Sequence, residues 1–152
     1  MAITTSKARK QRNTKTAKFA KYLMTSSHTI PAGAMVMIPE SAAAFAYSGD
    51  AYFAENAADT AFASGSFVGV ATKSVTSTTA GETYVEVMYG HEELFTTNTT
   101  LVGLVGTAAT VYDNDVVTSA ASTDDTQVGE IIEVPSSTTA WVAVRKLVKD
   151  LT

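Results

Sequence analysis

Apolar residues along this chain gather in short runs broken by Gly, Pro, Ser, Thr and Asp, the spacing of strands joined by tight turns. Pro31-Ala32-Gly33 predicts a turn into the apolar strand Ala34-Met35-Val36-Met37-Ile38, which Pro39 stops by removing a backbone donor. Phe67-Val68-Gly69-Val70-Ala71 predicts a buried strand. A polar turn over residues 76–81 then leads to Tyr84-Val85-Glu86-Val87-Met88-Tyr89, where Val85, Val87 and Tyr89 face one side and Glu86 the other.

Leu101-Val102-Gly103-Leu104-Val105 and Thr110-Val111-Tyr112 are predicted strands flanking Gly106, with Asp113-Asn114-Asp115 as a turn before Val116-Val117. Residues 128–134 then form a strand, Pro135-Ser136-Ser137-Thr138-Thr139 a turn, and Trp141-Val142-Ala143-Val144 an alternating strand. The 67–89 and 128–144 segments are alike. Each opens on Val-Gly, crosses a turn containing Thr-Thr-Ala, and ends in alternating Val. The predicted fold is all-β, a small barrel or sandwich with two similar β units.

Two segments escape this pattern. Residues 41–65 are rich in Ala, Ser, Gly and Asp and read as a loop-rich insert carrying Phe45, Tyr47, Tyr52, Phe53 and Phe62, with a hairpin tip at Ser48-Gly49-Asp50. Residues 1–27 are polar and basic as far as Thr16, then gather Phe19, Tyr22, Leu23 and Met24. These positions suit a helical face or a row of anchors, and the scarcity of apolar partners before Thr16 favours an extended arm. The expected organisation is an N-terminal arm, 1–27, and a β domain, 28–152.

Charge sharpens that division. The net charge of −4 is the sum of a basic arm and an acidic body. Lys7, Arg9, Lys10, Arg12, Lys15, Lys18 and Lys21 give residues 1–27 a charge of +7 with no acid. Residues 28–152 hold four basic residues against all fifteen acids, a charge of −11. Such asymmetry marks a docking arm on a solvated domain. Phosphate finds the arm attractive and the body repulsive, so nucleic acid is an unlikely partner.

The residue types that carry most chemistry are scarce. There is no cysteine, hence no disulfide framework or thiolate metal site. His91-Glu92-Glu93 lacks the second His of a zinc-protease helix and reads as an exposed polar turn; His28 has no assigned role. Asp113-Asn114-Asp115 and Asp124-Asp125 lack EF-hand ligand spacing and read as turns. Gly103 and Gly106 precede no phosphate-binding helix. The expectation is a non-enzyme without cofactor or metal. No apolar run is long enough to span a bilayer and no cleavable leader is evident, so synthesis in the cytoplasm without membrane association is expected.

Gly33, Val68-Gly69-Val70-Ala71, Gly81-Glu82, Val85-Glu86-Val87, Val111-Tyr112-Asp113, Val128-Gly129 and Trp141-Val142-Ala143-Val144 stand in an order that resembles the capsid cement, or head decoration, proteins of tailed bacteriophages. The likeness runs over residues 28–148. It implies a β domain on the outer face of the virion capsid, often a homotrimer, that clamps neighbouring major capsid protein subunits without chemistry. The basic arm and the 41–65 insert are longer than that family pattern. On this resemblance Lys7, Arg9, Lys10, Arg12, Lys15, Lys18 and Lys21 meet acidic capsid surface while Phe19, Tyr22 and Leu23 anchor in apolar grooves. Two other readings compete: a head-fibre domain holding a host glycan or receptor with Tyr47, Tyr52 and Phe53, and a nucleic-acid-binding module using the arm.

Overall fold

The computed structural model describes residues 3–24, 27–38, 52–53, 66–119 and 126–145. Strands dominate: β1 Gln11–Arg12, β2 Lys18–Leu23, β3 His28–Ile30, β4 Met35–Ile38, β5 Tyr52–Phe53, β6 Ser66–Ala71, β7 Val75–Ser77, β8 Tyr84–Tyr89, β9 Glu92–Thr97, β10 Ala108–Val111, β11 Val116–Ser119, β12 Gln127–Ser136 and β13 Thr139–Val144. The fold is all-β, as its alternating and short apolar runs predict.

Two units are built from these strands. In the C-terminal half, β9, β11, β10, β12 and β13 pair in that order, and β13 returns to β9, closing a five-stranded barrel. Only the β9–β11 pair in the barrel is parallel. The N-terminal half forms an antiparallel sheet in the order β2-β8-β6-β4-β5, with a small β3-β7 ribbon beside it.

Strands β4 and β6 are buried on both faces, the physical meaning of their unbroken apolar sequences. Met35, Met37, Phe67 and Val70 enter one core with the barrel residues Phe95, Leu101, Val117, Ile131 and Val142. Val36, Val68 and Ala71 enter a second core with Met24, Ile30, Val85 and Val87. Phe67 and Val70 share a face despite a spacing of three, because Val36 pairs with Gly69 and Met37 with Phe67, leaving Val68 as the extra residue of a β-bulge.

Several local expectations change. The segment 101–107 is not a strand: Leu104 N–H donates to Leu101 O and Thr107 N–H to Leu104 O, both at 3.0 Å. Each Leu-Val-Gly triplet is a tight turn whose third residue, Gly103 at φ +84° or Gly106 at φ +90°, takes the left-handed backbone. Leu101 is buried while Val102 and Val105 are exposed. Residues 91–93 are not an exposed turn either; Glu92 and Glu93 begin the barrel strand β9, and His91 and Glu93 are buried. Tyr89 packs against the barrel core instead of joining Val85 and Val87, because Gly90 at φ +79° turns the chain toward β9 there. Strand β12 runs through Pro135 to Ser136, with register shifts absorbing the proline.

The largest difference concerns residues 1–27. The arm is extended, and the surface it is laid along belongs to its own chain: β1 pairs with β9 and β2 pairs with β8 along its full length. Ahead of them, the Ile3 N–H donates to Asn114 Oδ1 at 2.8 Å and Asn114 Nδ2 donates back to Ile3 O at 2.9 Å. Opposite charge supplies the reason ahead of β2, since Lys7, Arg9 and Arg12 pair with carboxylates of the body, while β2 itself is held by its backbone ladder to β8. The predicted hairpin at 47–52 and the 41–65 insert lie outside the described residues, apart from the strand β5.

Candidate functional site

The ten arm residues separate into an inward and an outward set. Arg9 is the centre of the inward set, its side chain 3 % exposed. Its Nη2 meets Asp115 Oδ1 at 2.6 Å, its Nη1 donates to Gly33 O and reaches Glu93 Oε2 at 3.4 Å, and its guanidinium lies 4.8 Å from the centre of the Phe95 ring. Lys7 Nζ takes the other oxygen of Asp115 at 2.6 Å. Gln11 Nε2 and His91 Nε2 each donate to Glu93 Oε1 at 2.8 Å. The 113–115 turn holds Asp115 in place, because Asp113 Oδ1 accepts the N–H groups of Asp115 and Val116. It is a turn, as its sequence predicts, and a fully buried one.

Arg12 is likewise paired with the body, at the surface, its side chain 37 % exposed. Its Nε meets Glu92 Oε1 at 2.6 Å, its Nη1 meets Glu133 Oε2 at 2.8 Å, and its guanidinium stacks 4.1 Å from the Trp141 ring centre. The hydrogen bonds to Glu133 and then Glu92 hold the Arg12 pKa above its ordinary value. Burial pushes Glu92 up, but the hydrogen bonds from Arg12 and Asn13 outweigh it and its pKa lies below the ordinary value. Tyr22 is half-buried against the second core.

A cleft of about 410 Å³ lies beside this network, lined by Lys7, Arg9, Gln11 and Glu93 over an apolar floor of Val70 and Met88. Its cations and carboxylates already neutralise one another, so it offers a ligand no unbalanced charge. Among the described residues no group of three His, Asp or Glu side chains is placed to hold a metal ion.

The outward set is Lys10, Lys15, Lys18, Phe19 and Lys21, all exposed, with Leu23 half-exposed. Among the described residues the four lysines make no ion pair, whereas Lys7, Arg9, Arg12 and Arg145 all do. Phe19 and Lys21 stand across from Met88 and Glu86, and Leu23 across from Tyr84. Phe19 is 59 % exposed and Tyr84 57 %, and the register puts both on the sheet face that carries Lys21, with Lys18 on the opposite face and Lys10 and Lys15 ahead of β2. Tyr84 belongs to this face although the sequence reading did not select it; its position one residue before the inward Val85 was the available signal. Strand β2 is the edge of its sheet, with β8 its only neighbour among the described residues.

Among the residues of the competing readings, Tyr47 lies outside the described residues, as does Asp124-Asp125, and Tyr52 and Phe53 are described only as strand β5. No helix among the described residues is long and apolar enough to cross a membrane. Comparison with protein-family models, with curated proteins and with solved structures yields no match.

Proposed function

We propose that this chain is a capsid decoration protein of a tailed bacteriophage, a non-enzymatic cement that docks on the outer face of the assembled head and bridges major capsid protein subunits. The observation that carries the reading is the division of the basic segment. Three cations of the segment are neutralised by carboxylates of the fold, while Lys10, Lys15, Lys18 and Lys21 form no ion pair among the described residues, and Lys21 stands on the edge strand β2 on the same face as the exposed rings of Phe19 and Tyr84. Exposed aromatic rings interspersed with cations that no carboxylate of the fold neutralises suit docking on an acidic partner. The docking set narrows accordingly to Lys10, Lys15, Lys18, Phe19 and Lys21, joined by Tyr84.

A rivet for a shell needs a well-packed body, and the twin cores that meet at β4 and β6 are in keeping with one. Repetition over many symmetric sites, as a trimer on the family resemblance, multiplies modest contacts into resistance to rupture. The test is mass spectrometry and cryo-EM of particles made from the genome that encodes the chain. Many copies on the exterior are expected, with occupancy lost in the Lys18→Glu/Lys21→Glu variant. Particles lacking the polypeptide, or holding it only inside with the genome, would overturn the proposal.

A further inference from the structure

We infer that the outward edge of β2 accepts one more β-strand, and that the strand it selects is an extended acidic segment of the partner protein. The inference deepens the docking reading above and rests on it for the place of contact.

Backbone direction along β2 follows from two hydrogen bonds. Met24 N–H donates to Thr83 O at 2.8 Å, continuing the β2–β8 ladder, so the even positions Lys18, Ala20 and Tyr22 direct their backbone groups at β8. Thr72 N–H donates to Glu86 O at 3.0 Å, which turns the even positions of β8 toward β6 and leaves Val85 and Val87 to face β2, in agreement. The N–H and C=O groups of Phe19, Lys21 and Leu23 therefore point away from the sheet. Together they form a row long enough to pair a short added strand.

Side chains decide which strand fits. A second copy of the same edge would bring lysine onto lysine, and lysines on an edge deter that pairing. A nucleic acid would find the charge but no use for the row of peptide groups. An acidic strand satisfies both. Glu86, across from Lys21, is held by the Thr72 hydroxyl at 2.9 Å and forms no ion pair with the lysine, whose ammonium stays available. Phe19, two places from Lys21 on the same face, offers an apolar contact to the residue two places along the incoming segment.

Amide hydrogen exchange on the full chain tests this with three probes: a short synthetic peptide that places Val and Glu in turn along one face (Val-Thr-Glu-Thr-Val-Thr-Glu), its counterpart with Lys in place of Glu, and an oligothymidylate. The acidic peptide is expected to slow exchange at Phe19, Lys21 and Leu23 while leaving Lys18, Ala20 and Tyr22 unchanged. Lys21→Pro removes an outward donor that the β2–β8 ladder does not use, and Lys21→Ala removes only the side chain. The proline variant is expected to bind about fivefold more weakly than the alanine variant. Thermal melting followed by Trp141 fluorescence checks that both remain folded. Unchanged exchange at the three outward amides, an equal response to the lysine peptide, or greater protection by the oligothymidylate would each overturn the inference. Particle binding without any peptide effect removes strand addition and leaves the decoration role. Peptide binding to a protein absent from particles does the reverse.

Discussion

Arg9 and Asp115, 106 residues apart in sequence, meet through Nη2 and Oδ1 at 2.6 Å, with side chains only 3 % and 8 % exposed. This contact fastens the start of the chain to the barrel. Removing one partner of a buried ion pair costs up to about 3–5 kcal/mol, here reduced because Asp115 keeps Lys7 and Arg9 keeps Glu93 and the Gly33 carbonyl. Asp115→Ala should cost at least as much as Arg9→Ala, because it leaves the buried Arg9 with the 3.4 Å contact to Glu93 as its ion pair, whereas Asp115 without Arg9 keeps Lys7 at 2.6 Å. Urea unfolding of both variants and of the double variant checks this, the double costing well under the sum of the singles. A chain lacking residues 1–12 should lose comparable stability, so its failure to bind any particle would say nothing about docking.

Glu92 gives the attachment of β1 an acid limit. Its pKa lies below the ordinary 4.5, so folding gains from its ionised form. The gain is complete above 4.5 and is lost as pH falls through the lower folded value. Acidification below 4.5 should weaken the Arg12 contact with Glu92, and Glu92→Gln should remove that part of the pH dependence. Stability against pH, measured by denaturant midpoint for both proteins, checks it; parallel curves would contradict it.

His28 behaves in the same sense at higher pH. Burial on β3 lowers its pKa below 6.5, because the charged imidazolium is poorly solvated there. The neutral form is the one the fold accepts, so its contribution is complete above 6.5 and lost as pH falls through the lowered folded value. An NMR titration should place the His28 midpoint below 6.5, and His28→Gln should flatten the stability curve in that window.

What the sequence reveals follows the range of the interaction. Alternation at Val85 and Val87 and the unbroken run Met35-Val36-Met37 are local signals, and they correctly mark a half-buried and a doubly buried strand. Leu-Val-Gly-Leu-Val-Gly carries the same apolar content, yet glycine at every third place bends it into turns. His91-Glu92-Glu93 looks like a polar turn because its neutralising partners, Arg9, Gln11 and Arg12, lie some eighty positions away. The arm hides its structure for the same reason: charge segregation along the sequence shows that two regions attract, and not whether the acid that answers is another protein's or the chain's own.

Gly69 and Gly129, the second residues of the two Val-Gly segments, carry the last prediction. A Cβ on Gly129 would overlap the carbonyl of Ala143 on β13, and one on Gly69 would lie 2.8 Å from the carbonyl of Met88 on β8. In each β unit the glycine thus lets the partner strand's backbone come closer than a side chain allows, which gives the sequence likeness of the two hairpins a shared physical basis. The obstacle at both is backbone, so no rotamer change relieves it. Gly69 also sits at φ +144°, on the bulge that sends Phe67 and Val70 into the same core. Gly129→Ala should therefore cost about 2–3 kcal/mol through overpacking of the β12–β13 pair. Gly69→Ala should cost at least as much, adding backbone strain to a similar clash. Thermal or urea denaturation measures both, and a loss under about 0.5 kcal/mol, typical of a neutral surface change, would show that the strands can part without harm.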